Sequence, residues 1–123
     1  MLIAGNAVIR LVYGAVALTS PSKPIRGKIP LAPDTDQFPE ARLFVRGFAS
    51  HQIGVGLIGL VSVARRQLRG PAMALAAATD LADIASAVVE ARARRHVDRD
   101  LAGGIAFSSA GLLSALLALN ASE

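Results

Sequence analysis

The fold is decided by residues 43–91, which read LFVRGFASHQIGVGLIGLVSVARRQLRGPAMALAAATDLADIASAVVEA. Two apolar stretches, 43–64 and 71–91, are separated here by an Arg-rich turn that ends in Gly70-Pro71. Each stretch is close to the ~20 residues that an α-helix needs to cross the hydrocarbon core of a bilayer. Proline is well accommodated in the first turn of a helix, so Pro71 marks the start of the later stretch. This segment therefore predicts two membrane-spanning helices.

Two further apolar stretches flank this segment, at residues 2–19 and 101–119. Hydrophobic residues make up 53% of the chain and charged residues only 18%, against about 25% in a typical soluble protein. The 123 residues suffice for one domain. We therefore predict a single all-α domain over residues 1–123, a four-helix transmembrane bundle that lies as a multi-pass protein in the cell membrane, with the lipid bilayer as its partner. A signal peptide over residues 2–19 fits poorly because Arg10 interrupts its apolar region.

The formal net charge of +4 is carried by short basic runs between the apolar stretches, a pattern typical of the loops that anchor membrane proteins. No basic stripe is interleaved with stacking aromatic residues, so we expect no nucleic-acid partner. The chain contains no Cys, which excludes disulfides, thiolate catalysis and Cys-ligated metal sites. No His pair or Glu-x-x-His motif is present either, so no metal site is expected.

Residues 20–40 differ from the rest of the chain. They hold five of the six prolines together with charges of both signs. Because proline fixes φ and removes a hydrogen-bond donor, this segment is predicted to be a proline-rich loop between the first and second helices. Its length is compatible with a plain connector and with a binding loop, and the sequence leaves both open.

Polar residues inside three of the apolar stretches recur at helical spacing, which places them on single faces. They are Asn6, Arg10 and Tyr13 in the first stretch, Arg42, Arg46 and Ser50 in the second, and Thr79, Asp83, Ser86 and Glu90 in the third. A charge at the centre of a bilayer costs at least about 2.5–3.5 kcal/mol on insertion scales, so such residues usually turn inward and pair. The pattern therefore predicts polar groups inside the bundle.

We expect these groups to form one charge-compensated cluster, with Arg46 and Asp83 as its central pair and Arg10 and Asp80 in support. Two carboxylates one helical turn apart repel each other, which leaves one of them as a candidate general acid. His51 is a candidate for shuttling protons beside them. The supporting polar residues are Asn6, Tyr13 and Ser86. The cluster either forms a polar pocket for a small ligand or only fixes the register of the helices.

Small residues at helical spacing predict close helix packing, since they allow two backbones to approach each other. These residues are Gly54, Gly56 and Gly59 in the second stretch, and Gly104, Ser108 and Gly111 in the fourth. The spacing of Gly54, Gly56 and Gly59 matches a dinucleotide-binding fingerprint, but no strand precedes it, so the match is accidental.

The order of features between residues 40 and 119 resembles a known family of small bacterial and fungal membrane proteins. These features are the motif RLFVRG at 42–47, a Gly-rich apolar helix, an Arg-rich turn, and a helix that carries Asp80 and Asp83. The family is domain of unknown function four-two-six-seven, and the layout is also similar to DoxX-like four-helix membrane proteins. The resemblance implies an Arg on the second helix and an Asp on the third, best matched by Arg46 and Asp83. It implies no reaction, and we assign no cofactor.

Three functional hypotheses follow. The first is a membrane-embedded module that binds or acts on a small, partly apolar molecule through the Arg/Asp cluster. The second is a structural or accessory subunit that packs its small-residue faces against a homo-oligomer or a larger membrane complex. The third is a soluble helical protein that covers its apolar surface by oligomerising.

Overall fold

The computed structural model of the protein describes residues 2–19, 41–97 and 99–121. Within the helices, the side chains of residues 41, 42, 44, 94, 99 and 100 are not described. The predicted proline-rich loop at 20–40 lies outside the described residues, so its conformation stays a prediction.

The described part of the chain is helical, which confirms the predicted all-α, four-helix fold. The helices are α1 (Leu2–Thr19), α2 (Ala41–Ala64), α3 (Arg69–Arg94) and α4 (Arg99–Asn120), and a short 3₁₀ turn (Arg66–Leu68) joins α2 to α3. The helix α3 begins two residues before the predicted start at Pro71. The first N–H groups of a helix have no intrahelical partner, so proline interrupts no hydrogen bond in the first turn.

All four helices are long and apolar enough to cross a membrane, as expected of a multi-pass membrane protein. Large apolar side chains cover their outward faces; in α1 these include Val8, Ile9 and Val12, each about half exposed. A soluble four-helix domain would bury such side chains, whereas lipid tails solvate them at no cost. The composition of the helices and their exposed surface are thus both compatible with a lipid bilayer.

The bundle consists of two helical hairpins: the first hairpin is formed by α1 and α2, and the second by α3 and α4. The helix α1 packs extensively along α2, and α3 packs extensively along α4, whereas contacts between the two pairs are far fewer. The turn between α2 and α3 is tied by Arg69, whose guanidinium donates to the carbonyl oxygens of Ser62 (3.4 Å) and Val63 (3.1 Å). A cation there satisfies carbonyl groups that have no partner at the end of α2. Arg69, one arginine of the Arg-rich turn, therefore caps the end of α2.

Candidate functional site

Arg10 is the centre of the buried polar cluster. It lies halfway along α1, about 12 Å from either end at the α-helical rise, and its side chain is only 5% exposed. Its Nε donates to Asn6 Oδ1 (2.9 Å), one turn earlier on the same helix. Its Nη1 donates to Gln52 Oε1 (2.8 Å) on α2. These two bonds fix the guanidinium within the first hairpin.

The same guanidinium reaches the second hairpin. Its Nη2 forms an ion pair with Asp80 Oδ2 and lies 3.5 Å from the carbonyl oxygen of Ala76, both on α3. The side chain of Asp80 is 3% exposed. Because the hairpins share few other contacts, this ion pair is a specific polar link between them.

The cluster lies near the middle of every helix. Arg10, Gln52, Asp80 and Gly111 each lie close to the midpoint of α1, α2, α3 and α4 respectively. In a spanning bundle this is the centre of the bilayer, where an unpaired charge is most costly. Among the described residues, no buried side-chain nitrogen or oxygen lacks a hydrogen-bond partner. The site is therefore charge-compensated and satisfied without a ligand.

The helix α4 approaches Asp80 at Gly111. A Cβ atom placed on Gly111 would lie 2.6 Å from Asp80 Oδ2 and 3.1 Å from Oδ1. Real Cβ atoms do not approach an oxygen so closely, so a side chain at position 111 would displace the carboxylate from its place between α3 and α4. The prediction that Gly111 lies on a close-packing face therefore holds, and the atom that it accommodates belongs to the ion pair.

A cavity of about 350 Å³ lies beside the ion pair, between α1 and α4. Its polar lining includes Asn6, Arg10 and Asp80, and its apolar lining includes Ile9 and Phe107. The remaining lining residues are Leu2, Gly5, Ala110, Gly111 and Ser114. Binding pockets for drug-sized molecules span about 300–1,000 Å³ and combine apolar walls with a few fixed polar groups. This cavity has both properties.

Aromatic side chains lie next to the cavity, where α1 and α4 meet. The half-buried ring of Tyr13 stacks on Phe107 of α4 (centroids 5.1 Å apart, interplanar angle 27°). It also contacts Phe48 of α2 edge-to-face (6.0 Å, 86°). Tyr13 thus joins one wall of the cavity to the first hairpin, which gives this predicted supporting residue a position at the site.

The predicted central pair, Arg46 with Asp83, is not formed. Arg46 is exposed near the start of α2, and it is not paired with Asp83. A long cationic side chain near a helix end can reach the membrane surface, so it needs no buried partner. The pair that forms is Arg10 with Asp80, the two residues predicted only as support.

The remaining predicted site residues lie around the cluster. Asn6 is buried and bonded to Arg10, as expected of a supporting group. Asp83 is half-buried, one turn after Asp80 on α3. His51 and Ser86 are exposed. None of Asp83, His51 and Ser86 lines the cavity.

Gln52 is a cluster residue that the polar stripes did not reveal. It is 1% exposed and bonded to Arg10. The signal for it lies in the other face of α2, because Gln52 is in helical register with the buried residues Val45, Ala49, Gly56 and Gly59. A polar residue on a stripe of small residues faces a neighbouring helix, and it must find a partner there.

No group of three or more His, Asp or Glu side chains that could hold a metal ion lies within residues 2–19, 41–97 and 99–121. Comparison with known proteins adds no family, since no family model, curated protein or solved structure matches the chain.

Proposed function

We propose that this multi-pass membrane protein binds a small, partly apolar molecule in the cavity between α1 and α4. The observation that carries the proposal is the combination of apolar walls, at Ile9 and Phe107, with a polar floor at Asp80. A ligand with an apolar body and one polar group matches such a lining. Binding is the activity that we propose; no reaction is assigned.

The membrane is the source of the ligand in this proposal. Phe107 and Ile9 line the cavity and are also exposed on the outer surface of the bundle. A molecule dissolved in the bilayer can therefore enter sideways between α1 and α4. The polar floor lies at mid-membrane depth, where an amphipathic molecule has few other hydrogen-bond partners.

Photolabelling of the purified protein in lipid nanodiscs tests this proposal. Two probes are used in parallel, hexadecanol and hexadecanoic acid, each with a diazirine in the chain. Gly5 lines the cavity, and a Cβ atom placed there meets nothing within 4 Å. Gly5→Leu should therefore fill the cavity without disturbing helix packing and should lower labelling by the better probe several-fold.

Gly103→Leu is the matched control. Gly103 also lies near the start of its helix, a Cβ there also meets nothing within 4 Å, and it does not line the cavity. This variant should be labelled like the unchanged protein, with cross-links on α1 and α4. Equal labelling of the Gly5→Leu variant, the Gly103→Leu variant and the unchanged protein by both probes would refute ligand binding in the cavity.

The other hypotheses predict different outcomes. A structural or accessory subunit of a membrane complex would show no cavity-dependent labelling and would instead cross-link to a neighbouring transmembrane chain. A soluble oligomer would leave the membrane fraction on alkaline wash. Location in the cell membrane and membership of domain of unknown function four-two-six-seven, or of the wider DoxX-like group, stay proposals beside this one.

A further inference from the structure

The hydrogen bonds of Arg10 limit which head group the cavity can take. A guanidinium has five N–H donors and no acceptor. Four protein acceptors already surround this one: Asn6 Oδ1, Gln52 Oε1, Ala76 O and Asp80 Oδ2. Arginine binds carboxylates and phosphates through paired N–H groups, and the N–H groups of Arg10 already donate to protein atoms. The cation that lines the cavity is therefore largely unavailable to an anionic ligand.

The charge balance points the same way. Asp80 neutralises Arg10 through their ion pair. An anionic head group in the cavity would place another negative charge beside Asp80 in a medium of low dielectric constant. A cationic head group would instead lie beside the fixed guanidinium of Arg10. An uncharged head group meets neither repulsion.

We infer that the cavity selects an uncharged amphipathic molecule, such as a primary alcohol, whose head group donates a hydrogen bond. This inference rests on the proposed function. Carboxylates are acceptors only, and a second lone pair remains on an oxygen that already accepts from an arginine. Asp80 is among the residues that line the cavity, and we assign its carboxylate as the acceptor for the ligand hydroxyl.

Competition photolabelling tests this selectivity. The diazirine hexadecanol probe is displaced from the protein in nanodiscs by dodecanol, dodecanoate or dodecylammonium, which differ in charge at the same chain length. Dodecanol should compete at a concentration at least tenfold lower than either ion. Stronger competition by dodecanoate or by dodecylammonium would overturn the inference.

Asp80→Asn provides a second readout, because it removes the charge that repels anions and leaves Arg10 uncompensated. The preference should then move toward dodecanoate. Asp83→Asn is the matched control, since Asp83 lies near the cluster but does not line the cavity, and its preference should stay with dodecanol. An unchanged preference in the folded Asp80→Asn variant would contradict the role given to Asp80. If that variant does not fold, the comparison of the three competitors on the unchanged protein still decides.

Two further measurements distinguish failure of the proposed function from failure of the selectivity, and a free alcohol from a neutral lipid as the source of the hydroxyl. If labelling is insensitive to Gly5→Leu, the proposed function itself fails; if it is sensitive but the carboxylate competes best, only the selectivity fails. Dioleoylglycerol as a competitor distinguishes the hydroxyl of a neutral glycerolipid from that of a free alcohol. Competition by either uncharged molecule ahead of the ions supports the inference.

Discussion

Where α1 meets α2, the two backbones lie in close contact. Where α1 meets α3 and α4, an ion pair joins the helices and a cavity lies beside it. A Cβ atom on Gly14 would lie 2.8 Å from the carbonyl oxygen of Ala49, and one on Gly56 would lie 2.9 Å from that of Ala7. Between the hairpins, the ion pair of Arg10 with Asp80 adds a polar link to the stack of Tyr13 on Phe107 and to an apolar cluster that includes Val55 of α2 and Met73 of α3. The two interfaces thus rely on different forces.

The difference has a physical reason. Lipid tails are as apolar as leucine, so transmembrane helices associate through van der Waals contact and polar interactions, without a hydrophobic driving force between them. Close contact along a whole helix leaves no space. A strong polar link at mid-height helps to hold two hairpins together while leaving room beside it. We infer that the interface between the hairpins provides the binding space.

The largest expected effect comes from breaking the link between the hairpins. Asp80→Leu leaves Arg10 without its counter-charge at mid-membrane, and breaking a buried pair in this way typically costs about 3–5 kcal/mol. The double variant Arg10→Met with Asp80→Leu should lose much less, because no orphaned charge remains. Unfolding in mixed micelles, measured for the full double-mutant cycle, gives the coupling free energy.

The same cycle on Arg46 and Asp83 is the control. Arg46→Met and Asp83→Leu should give additive effects, since Arg46 is exposed and not paired with Asp83. Strong coupling between Arg46 and Asp83, together with additivity for Arg10 and Asp80, would show that the ion pair had been assigned to the wrong residues.

A smaller effect is expected from overpacking a hairpin. In Gly56→Leu the new side chain meets Leu11 and the backbone of Ala7, and overpacking of this kind typically costs about 1–3 kcal/mol. Gly54→Leu is the matched control two residues away, where a Cβ meets nothing within 4 Å. Its unfolding free energy should stay close to that of the unchanged protein. Equal destabilisation by the two substitutions would mean that the α1–α2 interface is not close-packed at Gly56.

Gly111→Ala tests the contact between α4 and the Asp80 carboxylate of the ion pair. The added methyl group displaces the Asp80 carboxylate, at an overpacking cost of about 1–3 kcal/mol, while alanine regains about 0.5–1 kcal/mol of helix propensity. We expect a net loss of about 1 kcal/mol by the same arithmetic. Gly103→Ala, whose Cβ meets nothing within 4 Å, should instead be neutral or slightly stabilising. A stabilised Gly111→Ala variant would show that the carboxylate does not lie against α4.

The sequence predicts the fold well because length and hydropathy are local properties. The predicted stretch 2–19 coincides with α1, and the other three helices extend at most three residues beyond their predicted ends. On α1, the predicted inward position is confirmed for Asn6 and Arg10, which are both buried. On this helix the polar residues lie far from both ends, so they cannot reach the membrane surface and must face the interior.

The pairing within the site is not a local property. Helical periodicity places Asp80 and Asp83 nearly on one face, and only the rotation of α3 about its axis decides which of them faces Arg10. In the structure, that rotation places the Asp80 carboxylate against Gly111 of α4. On α2, periodicity identifies a polar face but not its direction, and the face that includes Arg46 is turned outward. Gln52 occupies the inward face instead.

The smallest expected effect concerns Gln52. Gln52→Met keeps the length of the side chain and removes the oxygen that accepts from Arg10 Nη1. Polar contacts between transmembrane helices average about 0.6 kcal/mol, with a maximum near 1.7, so a loss of stability in that range is expected.

In the background of Arg10→Met with Asp80→Leu, Gln52→Met should instead increase the unfolding free energy. The buried amide there has no charged partner, and replacing it with an apolar group of similar size removes a desolvated polar group from the bundle. The unfolding free energies of both pairs of variants measure the change. A loss of equal size in both backgrounds would show that Gln52 acts through packing within the first hairpin and not through its hydrogen bond to Arg10.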